Sequence, residues 1–465
     1  MSAQLLAGDA AAWMGGVLRQ GSPATELRGV SIDTRTLAAG ELFVAIAGPN
    51  HDAHAFLARA AAAGAGGLVI LRGRVLPAEV KPELPVIEVA DTTTALGALA
   101  AGHRARFQGP VVAITGSNGK TTTKEMCAAI LSWAAPCLKT EGNLNNQFGL
   151  PLTLLRRRES DRSVVVEIGM NHRGEIAPLA AIAKPSVAVV TNVGSAHVEH
   201  LGSREAIALE KGDLLAALPE GGTAVIPAED RFGLAGRTRA AVVRFGRGAD
   251  ADVRAEQVRE LEAGGFAFEL ATPAGRVAAR VAGLGEATLA NALAAAAAAQ
   301  AAGASLEGLA AGLLRYQPMH GRLERIELGD GIVLIDDSYN ANPQSMELAL
   351  RVLAGRRGRG RGLAVLGEMG ELGATADDAH REIGRLAGSL GLDALFVLGA
   401  RAARIAEGAE AAGMPAERIV VCGDHDQLAE RVARELAPQD WVLVKGSRSA
   451  RMERVVERLT ARGKD

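Results

Sequence analysis

Val111-Val112-Ala113-Ile114-Thr115-Gly116-Ser117-Asn118-Gly119-Lys120-Thr121-Thr122 is the stretch that decides the fold. Its first five residues read as a strand buried on both faces. A glycine-rich turn follows, and Lys120 opens a helix. The glycines let backbone N–H groups face inward, and the helix start adds the positive end of its dipole. That construction cradles phosphate oxygens. Lys120 then reaches the outer phosphates, and the Thr121 hydroxyl can ligate Mg²⁺. The loop is the short Gly-x-x-Gly-Lys-Thr form, because Ile114 stands where the longer form has its first glycine. The expected ligand is ATP with Mg²⁺, held by Gly116, Ser117, Asn118, Gly119, Lys120, Thr121 and Thr122.

Outward from this motif, short Val/Ile/Leu runs alternate with helical segments. Strands are expected at 164–168, 187–192 and 223–226, then at 332–336, 363–366, 394–398, 419–422 and 441–445. Before the motif, strand-like runs at 42–46 and 68–71 flank an Ala-rich helix at 55–63. This alternation predicts an α/β chain of parallel sheets covered on both faces. Three domains are expected, at 1–107, 108–318 and 319–465. The length of 465 residues fits, at ~100–200 residues per domain.

Ligands of parallel sheets bind beyond the carboxyl ends of the strands. Polar residues directly after an apolar strand therefore count for more than the same residues elsewhere. Glu167 ends Val164-Val165-Val166, where an acidic residue can complete a nucleotide-bound Mg²⁺ site. His197 follows the next strand, in Asn192-Val193-Gly194-Ser195-Ala196-His197. Asp336-Asp337-Ser338-Tyr339-Asn340-Ala341-Asn342-Pro343 crowds two carboxylates and two of its amides at a third strand end; a solvated loop reads equally well there. Arg322 lies at the expected domain boundary, where an arginine can swing toward phosphates when domains close. The Arg/Gly run at 356–362 reads as a solvated loop.

Composition narrows the class. Apolar residues make up 48% of the chain and aromatics only 3%, so the cores must be built from Ala, Val, Leu and Ile. A net charge of −2 argues against bulk attraction to nucleic acid or an anionic membrane. Three cysteines, Cys127, Cys137 and Cys422, fit neither a zinc site nor a disulfide framework. The first residues show no basic, apolar leader, and the Ala-rich stretch 290–302 is too short and too polar for a membrane span. A cytoplasmic location is expected.

Taken together, these motifs resemble the Mur ligases, ATP-dependent amide-forming enzymes of cell-wall precursor synthesis. The resemblance spans nearly the whole chain, through the phosphate loop, Glu167, 192–197, Asn291, Arg322 and 336–340. Ser31-Ile32-Asp33-Thr34-Arg35, 142–151 and 337–343 are similar to the branch that adds D-alanyl-D-alanine to UDP-N-acetylmuramoyl-tripeptide. The resemblance implies a first domain that grips the UDP end through Ser31, Asp33, Thr34 and Arg35, a central ATPase domain, and a Rossmann-like last domain. It implies substrate contacts from Asn145 and Asn146, and nucleotide contacts from Asn291, Arg322, Asp337 and Asn340. It further implies a Mg²⁺ on Thr121 and Glu167, and a second on His197 and a carbamylated Lys211; Lys120, His197 and Lys211 would be catalytic. Without the resemblance, Lys211 reads as a solvent-facing helix lysine. A monomer acting through an acyl phosphate is the expectation. The alternatives are a Mur-type ligase for another amino acid, a P-loop kinase or ATPase, and a nucleotide-binding module.

Overall fold

The computed structural model describes residues 5–48, 51–358 and 360–462. Three main sheets organise the chain. The first runs Val17–Gln20, Val86–Val89, Gly67–Leu71, Leu42–Val44, Val30–Ser31. Its first pair is antiparallel and the rest parallel. The second, of nine strands, holds the phosphate-loop strand Val111–Thr115 between Val187–Val190 and Ser163–Glu167. The third, of six, runs Glu324–Gly329, Ile332–Asp337, Trp441–Lys445, Gly362–Leu366, Ala394–Leu398, Ile419–Cys422.

The apolar runs become strands with small shifts at their ends. Val111–Thr115, Ser163–Glu167 and Gly362–Leu366 are buried at every residue, as strands with helices on both faces must be. The expected 55–63 helix divides into a 3₁₀ turn, Ala53–Phe56, and an α-helix, Leu57–Ala62. The sheets are mostly parallel, as the sequence reading expects, with antiparallel flanks that it did not include. Val253–Glu260, Phe266–Thr272 and Gly275–Val281 form an antiparallel flank of the central sheet. Glu324–Gly329 likewise pairs antiparallel with Ile332–Asp337. The three flank strands largely alternate buried with partly exposed or exposed residues, and Glu324–Gly329 has no fully buried residue, so all four lack the continuous apolar run that marks the others.

The 356–362 run is also corrected. Arg356 closes the helix Pro343–Arg356 and donates to the Leu261 carbonyl at 3.1 Å. Arg357 pairs with Asp393 at 2.8 Å, and Arg361 with Asp440 at 2.6 Å. Arg356 thus ties the third region to the antiparallel flank of the central sheet, and all three arginines are committed to carboxylates or carbonyls of the chain. Helix Thr92–Ala105 packs against the central helices Gly149–Leu155 and Ile176–Ala183, so one core runs from the first region into the second. No helix among the described residues is long and apolar enough to cross a membrane.

Candidate active site

Register brings the decisive strand ends together. Ile114 pairs with Glu167, and Thr115 with Val190, so the loops after three parallel strands open at one sheet edge. The turn after Thr115 needs its glycines. Gly119 caps the helix Lys120–Leu131 at φ +79°, and a Cβ there would lie 2.2 Å from Asn291 Oδ1. A Cβ on Gly116 would lie 1.8 Å from Thr191 Oγ1. Backbone and neighbouring side chains thus approach too closely for any larger residue.

Around this turn the predicted metal residues meet. Thr121 Oγ1 donates to Glu167 Oε2 at 2.8 Å, and Asn145 Nδ2 donates to Glu167 Oε1 at 2.8 Å. The backbone N–H of Glu167 is fixed by Thr140 Oγ1 at 3.0 Å. Lys120 Nζ donates to the Gly116 carbonyl at 2.8 Å, over the loop it belongs to. Burial pushes the Lys120 amine below its ordinary range, with the Glu167 carboxylate pulling the other way.

The loop amides divide in a way the motif does not reveal. Ser117 N–H donates to the Asn192 carbonyl at 3.1 Å, and Asn118 N–H to Asn192 Oδ1 at 3.0 Å. These two are engaged by the neighbouring strand end. The N–H groups of Lys120, Thr121 and Thr122, at the start of the helix, have no carbonyl of their own helix to meet, whereas Thr123 N–H already donates to the Gly119 carbonyl at 2.9 Å. The first three are the donors left for an anion.

One cleft of about 1840 Å³ gathers the site. Its wall includes Ser117 to Thr122, Asn145, Asn146, Glu167, His197, Asn291, Arg322, Asp337 and Asn340. The third sheet faces the first two regions across it. Arg322 stacks 4.3 Å from the Tyr339 ring centroid. Asp337 Oδ2 lies 2.5 Å from Lys445 Nζ, which also donates to the Asn340 carbonyl at 2.9 Å. Burial pushes the Asp337 carboxyl up, against the pull of that ammonium. Asn291 Oδ1 accepts from the Thr123 hydroxyl at 3.3 Å. Asn146 Oδ1 caps the backbone of Phe148 and Gly149, at 3.1 and 2.9 Å.

Other predicted residues lie off the cleft wall. Lys211, on helix Arg204–Ala216, is 1% exposed, so it is not the solvent-facing lysine of the plain reading. Burial pushes its amine well below the ordinary lysine range, and the Lys120 charge adds to that. Ser31, Asp33, Thr34 and Arg35 lie apart, in and after the edge strand Val30–Ser31. Arg35 grips Asp33 through Nε–Oδ1 at 3.0 Å and Nη2–Oδ2 at 2.6 Å, which holds the Asp33 carboxyl down to about 2. The first region reaches the cleft through Thr93, Thr94, Gly97, Ala98 and Ala101 of helix Thr92–Ala105.

Several residues were missed. Asn342 Nδ2 donates to Asn118 Oδ1 at 2.8 Å, and Asn118 Nδ2 donates to Gln344 Oε1 at 3.0 Å. His197 Nδ1 lies 2.6 Å from Glu371 Oε2, off the line of a good hydrogen bond but within charge contact. That contact holds the Glu371 carboxyl below its usual range. Lys445 ends an apolar strand and Glu371 closely follows one, so the strand-end criterion that raised Glu167 could have raised both.

Comparison with known proteins gives a family. Residues 114–299 match the Mur ligase middle domain, and 321–448 match the Mur ligase, glutamate ligase domain. The chain is 40% identical to UDP-N-acetylmuramoyl-tripeptide–D-alanyl-D-alanine ligase of Escherichia coli, over 96% of each protein. It superposes on MurF of Acinetobacter baumannii with a TM-score of 0.89 and 33% identity, covering 99% of each chain. It superposes on MurF ligase of Thermotoga maritima in complex with ADP with a TM-score of 0.81 and 29% identity, covering 94% of this chain and 98% of that one. Likeness of this extent, running through all three sheets, means that the chain belongs to the Mur ligases, in the branch of the UDP-N-acetylmuramoyl-tripeptide–D-alanyl-D-alanine ligases.

Proposed function

We propose that the chain joins D-alanyl-D-alanine to UDP-N-acetylmuramoyl-tripeptide at the expense of ATP. The observation that carries this reading is the Thr121–Glu167–Asn145 constellation beside the phosphate loop, facing Arg322, Asp337 and Lys445 across one cleft. A carboxylate is a poor acyl donor. In the proposed reaction its oxygen forms a bond to the γ-phosphorus of ATP while the bond to the departing ADP breaks. The resulting acyl phosphate is attacked by the dipeptide amine, which loses a proton as inorganic phosphate leaves. The protein's part is to position the reactants and to meet developing charge. Lys120 and the first-turn amides of its helix serve the phosphates. Asn291, Arg322, Asp337 and Asn340 serve the nucleotide.

Thr121 Oγ1 and Glu167 Oε2 offer Mg²⁺ two hard oxygens 2.8 Å apart. Among the described residues no cluster of three or more His, Cys, Asp or Glu could cage a metal. Mg²⁺ commonly takes one or two protein ligands and completes its shell from phosphates and water. When bound, Mg²⁺ would neutralise charge on the phosphate oxygens. His197 and Lys211 are proposed for a second ion, Lys211 as its carbamate. Burial pushes the Lys211 amine down, toward the neutral form, which is the form that reacts with CO₂.

Domains at 1–107, 108–318 and 319–465 accord with the three sheets. Ser31, Asp33, Thr34 and Arg35 are proposed for the UDP end, and Asn145 and Asn146 for the substrate nearer the reacting carboxylate. The soluble nucleotide substrates suit a cytoplasmic monomer. The test is phosphate release with the nucleotide-sugar tripeptide, D-alanyl-D-alanine, ATP and Mg²⁺, each omitted in turn. Release only with all four present is expected. ADP and a phosphorylated acceptor without free phosphate, given a single acceptor, would make the chain a kinase, and phosphate release without any acceptor an ATPase.

A further inference from the structure

His197 stands in an unusual place. It precedes the short helix Val198–Leu201 with φ +65°, a left-handed conformation that non-glycine residues seldom adopt. Glu371, which meets it from the third region, has φ +58°. Two such residues facing each other persist only where the surroundings dictate both conformations. Gly373, just beyond, lies so near Glu199 that a Cβ would come 3.1 Å from its Cγ.

The segment carrying Glu371 follows the strand Gly362–Leu366 and is pegged at successive residues. Gly367 N–H donates to the Lys445 carbonyl at 2.7 Å, and Ser447 N–H to the Glu368 carbonyl at 2.8 Å. Met369 N–H instead donates to a side chain, His380 Nε2, at 3.0 Å. His380 is fully buried on helix Ala376–Ser389. Its Nδ1 lies 2.6 Å from the Ala376 carbonyl. A carbonyl can only accept, so Nδ1 carries the hydrogen and Nε2 keeps the lone pair that Met369 needs. Both ring nitrogens are used, in one tautomer of the neutral ring.

We propose that Glu371 is a positioning residue that sets the His197 ring across the cleft, and that His380 is the peg holding Glu371 in place. A carboxylate held 2.6 Å from a ring nitrogen of a functional histidine restrains the direction of the ring, and losing such a partner typically reduces activity or metal affinity roughly 10–100-fold. Here the carboxylate comes from a different sheet, so His197 is set only when the third region is seated. The inference rests on the proposed ligase reaction only for the step that His197 serves.

The test uses the full chain and four variants: Glu371→Gln, Glu371→Ala, His380→Leu and His380→Gln. The Gln at 380 can still accept from Met369 N–H. Expected is a fall in kcat of at least roughly tenfold for Glu371→Ala and His380→Leu, with KM for ATP little changed, and recovery in His380→Gln. Independently, ¹H–¹⁵N spectra of the nucleotide-free protein should show the His197 ring signals moved in Glu371→Gln and His380→Leu, and near wild type in His380→Gln. If His380→Leu does not fold, the partly exposed Glu371 variants decide the question alone. Unmoved His197 signals in Glu371→Gln, or full kcat in a folded Glu371→Ala, would overturn the proposal. If the wild type forms no amide bond, the reaction reading fails, while the ring spectra still decide the positioning.

Discussion

Lys120 shows how a single residue is committed to charge and not to packing. Its ammonium sits over Gly116, beside Glu167 and within the cleft. Lys120→Ala should leave the thermal midpoint close to wild type and cut turnover by several orders of magnitude, because a charge-assisted contact made in the transition state is lost. A folded variant turning over at near-normal rates would remove the loop from the chemistry. His103 illustrates the opposite case, a titratable group used for nothing visible. It is 2% exposed, and among the described residues neither ring nitrogen has a hydrogen-bond partner. Burial, aided by Arg157 and Arg106, pushes its pKa down from 6.5 to about 4. The unfolded chain therefore takes up a proton between these pH values that the folded chain refuses. Stability is whole above pH 6.5 and falls as pH drops through that window, by up to about 3 kcal/mol. Urea midpoints at pH 7 and pH 4.5 should differ less in His103→Leu than in wild type. Residues such as Thr121 and Glu167 were legible because each adjoins its own apolar strand. Glu371 follows an apolar strand and could be raised as a candidate in the same way, but its meeting with His197, like that of Gln344 with Asn118, depends on another region's loop and is not encoded locally.

At the scale of elements, helices Ala376–Ser389 and Ala402–Ala411 pack through glycine. A Cβ on Gly384 would lie 1.9 Å from the Ile405 carbonyl oxygen, and one on Gly408 would lie 2.0 Å from the Arg381 carbonyl oxygen. Propensity alone says that Ala should stabilise a helix over Gly by about 1 kcal/mol. Backbone against backbone cannot yield as a side chain can, so Gly384→Ala should instead destabilise by roughly 1–3 kcal/mol, read from urea unfolding. A stabilised variant would show that these helices slide apart freely. Burial also decided which elements could be read. Strands such as Val111–Thr115 were legible because both faces are covered and every residue is apolar or β-branched. Val253–Glu260, Val-Arg-Ala-Glu-Gln-Val-Arg-Glu, carries charge along its more exposed positions, and the search for continuous apolar runs passed it over.

For the whole molecule, the question is what couples the third region to the phosphate loop. Asn118 is held through its backbone by the central sheet, since its N–H meets Asn192 Oδ1 and its carbonyl accepts from Thr191 Oγ1 at 2.6 Å. That leaves its side-chain amide free to face outward, and both ends of the amide are taken by the third region, at Asn342 and Gln344. Asn342 also caps the helix Pro343–Arg356, so the helix start and the phosphate loop are joined through one residue. Two hydrogen bonds of about 0.5–1.5 kcal/mol each would bias the seated arrangement roughly 5- to 150-fold. Nucleotide that contacts Arg322 and Asp337 only in that arrangement would lose affinity as its population falls. The variant Asn342→Ser with Gln344→Ala keeps a good helix cap while its side chains are too short for Asn118. Its unfolding midpoint should stay close to wild type, while its Kd for a non-hydrolysable ATP analogue, measured by calorimetry, should rise several-fold or more. An unchanged Kd would mean that the seated arrangement is held by other contacts, with Arg356–Glu260 and His197–Glu371 the next to be cut.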